Sequence, residues 1–129
     1  MSSIVLDASA ILAVINAEPG AEKLTPELLA EAVCSTVNLA EVQAKLVSRG
    51  WSAEEAWEDA TSPVHDAAPF TDEHAKIAGS LVMLTRPLGL SLGDRACLAL
   101  AISLNASVYT TDKTWTQLKL GARIHVLRQ

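Results

Sequence analysis

The sequence predicts an α/β domain, a three-layer α/β/α sandwich around a central parallel sheet of four or five short strands. Two observations predict it. Short strand-like runs alternate with longer segments of helical periodicity, the pattern of parallel strands joined by right-handed crossover helices. Half of the residues are apolar but only 4% are aromatic, so Ala and Leu must carry the burial. That balance suits closely packed helices better than an all-β sandwich. A length of 129 residues fits one domain, 1–129, able to bury a core without disulfides or metal staples.

The elements follow in order. Residues 4–7 form a short buried strand and 8–16 the helix after it, closed by the Pro19-Gly20 break. Residues 21–32 are amphipathic and helical, with Pro26 dividing them into two pieces. Residues 33–35 give a second strand and 37–49 a helix that stops at Gly50. Ser52-Ala53-Glu54-Glu55 is a capping-box pattern opening a helix over 53–60. Residues 64–67 form a weak third strand. Thr71-Asp72-Glu73-His74 starts a helix that must end before Arg86-Pro87, because proline disfavours helix at the residue before it. Residues 93–105 are apolar on nearly all sides, as in a buried central helix. A strand over 107–111, a short helix over 112–118, a turn at Gly121 and a last strand over 123–127 complete the chain.

Composition narrows the function classes. Cys34 and Cys97 lie in apolar segments without CxxC or Cys/His spacing, so buried reduced thiols are expected rather than a disulfide or zinc site. No secretory signal and no run of eighteen apolar residues is present, which makes a cytoplasmic protein without membrane association the expectation. The net charge is −5, but it is unevenly placed. Residues 1–85 carry four basic and thirteen acidic side chains, and residues 86–129 carry six and two. The two acids of the basic half are Asp94 and Asp112; Lys113, Lys119, Arg123 and Arg128 would give them a margin that phosphate could meet, or serve as ordinary solvated charges.

Four acids recur just past a short strand, at or near a helix start: Asp7, Glu41, Asp94 and Asp112. In an open parallel sheet such positions gather at the carboxyl edge, where ligands bind. Each has a plainer reading. Asp7 and Asp112 suit N-caps, and Ser91-x-x-Asp94 is a capping-box pattern. Glu41 stands too far into its helix to cap it, at the edge of the polar sector beside Val37 and Ala44, where a solvated Glu is ordinary. Capping does not explain why Asp94 opens so apolar a helix. Crowded carboxylates resist ionisation unless a cation joins them, and Mg²⁺ is the natural hard cation for such oxygens. Together the four therefore read as a metal-dependent phosphodiesterase centre, a small nuclease. Ser9, Thr36, Asn38, Thr110 and Thr111 are candidate donors that orient carboxylates or metal-bound water, with local backbone capping favoured except at Thr110 and Asn38. Trp51 and Trp115 read as packing residues, and His65, His74 and His125 show no metal-ligand spacing.

At these residues the chain resembles the PIN-domain ribonucleases, and within them the VapC-type toxins of bacterial toxin–antitoxin pairs. The matching stretches are Ile4-Val5-Leu6-Asp7-Ala8-Ser9-Ala10, Ser35-Thr36-Val37-Asn38-Leu39-Ala40-Glu41-Val42, Leu90-Ser91-Leu92-Gly93-Asp94-Arg95-Ala96 and Tyr109-Thr110-Thr111-Asp112-Lys113-Thr114-Trp115, in the family's order. The resemblance implies a Mg²⁺- or Mn²⁺-dependent endoribonuclease, an RNA substrate, a homodimer and a cognate antitoxin. It makes Asp7, Glu41, Asp94 and Asp112 the acidic quartet, Asp7 and Asp94 foremost as direct ligands, with Thr110 as the hydroxyl accompanying the fourth acid and Ser9 the small polar residue after the first. Two rivals stand beside it. A receiver domain of two-component signalling shares size and an acidic Mg²⁺ pocket, but Asp7 is followed by Ala8 rather than a second acid. A PIN-like module that binds RNA or protein without cutting is the other.

Overall fold

The computed structural model describes residues 3–128, so Met1, Ser2 and Gln129 of the expected 1–129 domain lie outside the described residues. Five strands, β1 (Ile4–Leu6), β2 (Ala32–Ser35), β3 (Asp66–Ala68), β4 (Ser107–Thr110) and β5 (Arg123–Val126), form one sheet in the order β3-β2-β1-β4-β5. Every pairing is parallel. The helices are α1 (Ala8–Ile15), α2 (Pro26–Leu29), α3 (Thr36–Ser48), α4 (Ala53–Thr61), α5 (Asp72–Ser80), α6 (Val82–Thr85) and α7 (Leu92–Leu104), with 3₁₀ turns at Ala21–Lys23, Arg86–Leu88 and Lys113–Gln117.

Alternation along β1 divides the core. Ile4 and Leu6 join Ile11, Leu39, Val42 and Leu46 on the side of α1 and α3, whereas Val5 joins Val108, Leu98, Ala101 and Trp115 on the side of α7. The expected three layers result, each sheet face covered by helices and every β1 side chain buried. Strand β1 is central because the chain builds outward from it in both directions, to β2 and β3 on one flank and to β4 and β5 on the other. The carboxyl ends of β1 and β4 are consequently neighbours across a topological switch point, with Leu6 paired to Tyr109.

Three segments differ from the sequence reading. Residues 21–32 form only a 3₁₀ turn and one helical turn before β2 begins at Ala32; Thr25 caps the second piece and Pro26 takes its first position. The helix expected to open at Thr71 and end before Arg86 is broken after Ser80, where Leu81 turns its side chain into the α7 core while Val82, Met83 and Leu84 stay exposed. The segment after Asp112 is a 3₁₀ turn rather than an α-helix. Trp115 is buried as expected, but Trp51 is 40% exposed. His74 is buried beneath its own cap, with Nδ1 accepting from Thr71 N. No helix among the described residues is long and apolar enough to cross a membrane.

Candidate active site

Asp7 leaves β1 in extended conformation and caps α1. Its Oδ1 accepts from Ala10 N at 2.8 Å and from Ser9 Oγ at 2.7 Å, and its Oδ2 accepts from Thr110 Oγ1 at 2.6 Å. The β1–β4 pairing delivers Thr110 to that position. The same hydroxyl accepts from Asp112 N at 3.0 Å, so one side chain links the first and fourth acids. Ser9 Oγ further accepts from Thr111 N at 3.0 Å. Asp7 is only 4% exposed and has no ion-pair partner among the described residues. Burial pushes its carboxyl from the ordinary 3.8 up to about 6; the hydrogen bonds from Thr110, Ser9 and Ala10 offset part of that, and the charge of Asp94 adds to it.

The other three acids are held differently. Asp94 opens α7 in a true capping box: its Oδ2 accepts from Ser91 N at 2.8 Å, and its own N–H donates to Ser91 Oγ at 3.2 Å. Asp112 caps the Lys113–Gln117 turn, its Oδ1 accepting from Thr114 N at 3.0 Å and Thr114 Oγ1 at 2.8 Å. Glu41 caps nothing. Asn38, one turn earlier and 1% exposed, donates its Nδ2 to Glu41 Oε1 at 2.9 Å and to Gly93 O at 3.0 Å, tying α3 to α7. The Glu41 carboxylate rests on the α-carbon of Gly93; a methyl group there would come within 2.6 Å of Glu41 Cδ. The remaining oxygens, Asp94 Oδ1, Asp112 Oδ2 and Glu41 Oε2, accept no hydrogen bond among the described residues.

All four expected acids line one cleft of about 330 Å³, together with Ala8, Ser9, Leu12 and Lys45. Thr110 and Asn38 act on carboxylates, as expected. Ser9 does so too, although its position favoured a backbone cap. Thr36 accepts from Phe70 N, away from the carboxylates, and no histidine lines the cleft. Gly93, Leu12 and Lys45 were not anticipated. A glycine inside the first turn of α7, where it costs helix stability, was the available signal for Gly93. Spacing of four from Ala8 and from Glu41 was the signal for Leu12 and Lys45.

Hard oxygen donors with free oxygens around a shared cleft suit Mg²⁺ or Mn²⁺, which keep several waters when bound by few carboxylates. The side chains have not drawn together about a common point: no three His, Cys, Asp or Glu among the described residues lie close enough to hold one ion. The cysteines take no part. Both are free and buried, and burial raises both thiols well above their ordinary range.

The family model for the PIN domain matches residues 4–120. The chain belongs to the PIN-domain family. No curated protein matches it. Among solved structures it is similar to VapBC2 from Rickettsia felis bound to a DNA fragment from its promoter, at 22% identity, TM-score 0.72, covering 95% of this chain and 96% of that one. It is likewise similar to DNA-bound VapBC from Salmonella typhimurium, at 16% identity, TM-score 0.77, covering 98% and 99%. A toxin–antitoxin complex from Klebsiella pneumoniae matches at 15% identity, TM-score 0.74, covering 97% and 98%. At these identities the likeness is one of fold.

Proposed function

We propose that this PIN domain is a Mg²⁺- or Mn²⁺-dependent endoribonuclease acting as the toxin of a toxin–antitoxin pair. The observation that carries the reading is Asp7. A carboxylate 4% exposed, without a counter-ion among the described residues and in the field of Asp94, destabilises the fold unless a cation arrives. Three more carboxylates with free oxygens share its cleft at the switch point of the sheet. When bound, the metal supplies a water acidic enough to lose its proton near neutrality and neutralises charge on the scissile phosphate.

The residues divide the work. Asp7 and Asp94 are the direct ligands, Asp7 with its orientation fixed by Thr110 and Ser9. Glu41, held by Asn38 and Gly93, or Asp112, held by Thr114, orients the attacking water and accepts its proton. Attack by water rather than by the 2′-hydroxyl leaves 5′-phosphate and 3′-hydroxyl ends. The solved relatives that are toxin–antitoxin complexes support an antitoxin partner, and the exposed Val82, Met83, Leu84, Leu92 and Leu104 support a homodimer. Membership of the PIN family sets the receiver-domain reading aside.

The test is cleavage of total RNA in Mn²⁺, with a chelator control and mapping of the new ends. Wild type should cut and leave 5′-phosphates; Asp94→Asn, which keeps the capping geometry, should not. Binding of RNA without any metal-dependent cleavage would replace this reading with the non-catalytic module. Growth arrest on expression should disappear in Asp7→Asn if cleavage is its cause.

A further inference from the structure

We propose that Lys45 binds the phosphate neighbouring the scissile one when a single RNA strand lies in the acidic cleft. The inference rests on the nuclease reading above. Among the eight residues lining the cleft, four are carboxylates and Lys45 is the sole cation. It is also one of only four basic residues in the first 85. Its placement is set by α3: Lys45 stands one helical turn past Glu41, about 6 Å farther along the axis. On α1, Leu12 stands one turn past Ala8. Leu12 and Lys45 line the same cleft as the four carboxylates, one apolar side chain from α1 and one lysine from α3. An apolar surface beside a positive charge suits the base or sugar and the phosphate of an adjoining nucleotide.

What leaves Lys45 available is the way Glu41 is held. Glu four residues before Lys is the favourable order for an ion pair along a helix. No such pair forms here; the Lys45 ammonium makes no ion pair and no hydrogen bond among the described residues, and the residue is exposed. Asn38 and the Gly93 seat draw the Glu41 carboxylate toward α7 instead. The ammonium is therefore free while four negative groups lie within the same cleft. An incoming strand brings several phosphates, and a metal held by the quartet would answer only the scissile one. Its neighbour meets repulsion from the quartet unless a cation such as Lys45 receives it.

The experiment is steady-state cleavage of a mixed-sequence single-stranded RNA in Mn²⁺ by wild type, Lys45→Gln and Lys45→Arg at several salt concentrations, with Mn²⁺ binding followed by calorimetry. In Lys45→Gln we expect KM to rise about five- to tenfold while kcat stays within about twofold, as for a lost contact made equally before and during reaction. The dependence of log(kcat/KM) on log salt should become shallower by about 0.7, one phosphate's share on a single strand. Lys45→Arg should restore both, and Mn²⁺ affinity in Lys45→Gln should not fall. An unchanged KM and salt slope overturns the proposal, as does a parallel loss of Mn²⁺ affinity, which would make Lys45 an organiser of the carboxylates. Wild type that binds Mn²⁺ but cuts no RNA would overturn the nuclease reading itself, a different result from either.

Discussion

Asp7 and Asp94 both open helices onto the same cleft, and they are built in opposite ways. Asp7 stands on the inner wall, at the end of the central strand, with both oxygens hydrogen-bonded and its carboxyl raised to about 6 by burial. Asp94 stands on the outer wall, half-buried, with one oxygen in its capping box and the other without a partner among the described residues. Glu41 and Asp112 follow the outer pattern. The inner wall is fixed by strand pairing and carries an energetic cost in the cation-free protein. The outer wall is carried on the start of α7, the start of the Lys113–Gln117 turn and the second turn of α3, and each of its carboxylates keeps one oxygen without a partner among the described residues. One carboxylate held by strand pairing and three that each keep an unpartnered oxygen thus share a cleft without meeting at a point among the described residues.

The largest effects belong to the inner wall. Asp7→Asn should lower cleavage by about a thousandfold or more, the scale of losing a metal-site charge. In chelator it should also stabilise the fold at neutral pH. The sign follows from the raised carboxyl. Between 3.8 and about 6 the folded protein holds a proton that the unfolded chain has released. The stability this proton brings is full below about pH 4, declines as pH rises, and is gone above about pH 6, an amount on the order of 3 kcal/mol. Urea unfolding of both proteins in chelator from pH 4 to 8 measures it: the variant's advantage should grow through that window and then stay level. A difference that does not vary with pH would mean that Asp7 is not perturbed by its burial. Added Mn²⁺ should stabilise wild type and leave the variant little changed.

On the outer wall the seat of Glu41 can be altered without touching a carboxylate. Gly93→Ala places a methyl group where that carboxylate rests. Replacing glycine by alanine inside a helix ordinarily stabilises by about 1 kcal/mol. Here helix and site should part company, with unfolding nearly unchanged while cleavage falls about a hundredfold, because Glu41 must leave the position Asn38 gives it. Retained cleavage would show that Glu41 tolerates displacement. The Asp7 pH signature should survive in this variant, since Asp7 takes its hydrogen bonds from β4 and α1.

Much of this was legible in the sequence. Strand–helix alternation fixed the layers, and the four acids at strand ends or helix starts led to one cleft, because parallel strands send their carboxyl ends to the same edge. Thr110 was legible because β4 ends beside β1. The break of α5 at Leu81 was not, since only contact with the α7 core decides which way that leucine turns. Nor was the exposure of Trp51, which depends on how α3 and α4 meet rather than on hydropathy. Gly93 and Lys45 were hidden for a different reason. A helix glycine and the spacing of four from Glu41 mark the two positions, but the Asn38–Gly93 contact between α3 and α7, 55 residues apart, which seats Glu41 away from Lys45, is recorded in no local pattern.

The smallest expected effect separates capping from chemistry at Asp94. Ser91→Ala removes the hydroxyl that accepts from Asp94 N but leaves Ser91's backbone N–H to hold Asp94 Oδ2. Loss of an N-cap costs about 1 kcal/mol, so the unfolding midpoint should fall accordingly. The free Asp94 Oδ1 is untouched, and kcat/KM should stay within about threefold of wild type, a change of under 1 kcal/mol. A much larger loss of activity would mean that the capping box itself sets the carboxylate's approach to the metal, making the outer wall as rigid as the inner one. Stability loss without activity loss would keep the two walls distinct: one oxygen of Asp94 for the helix, the other for the cleft.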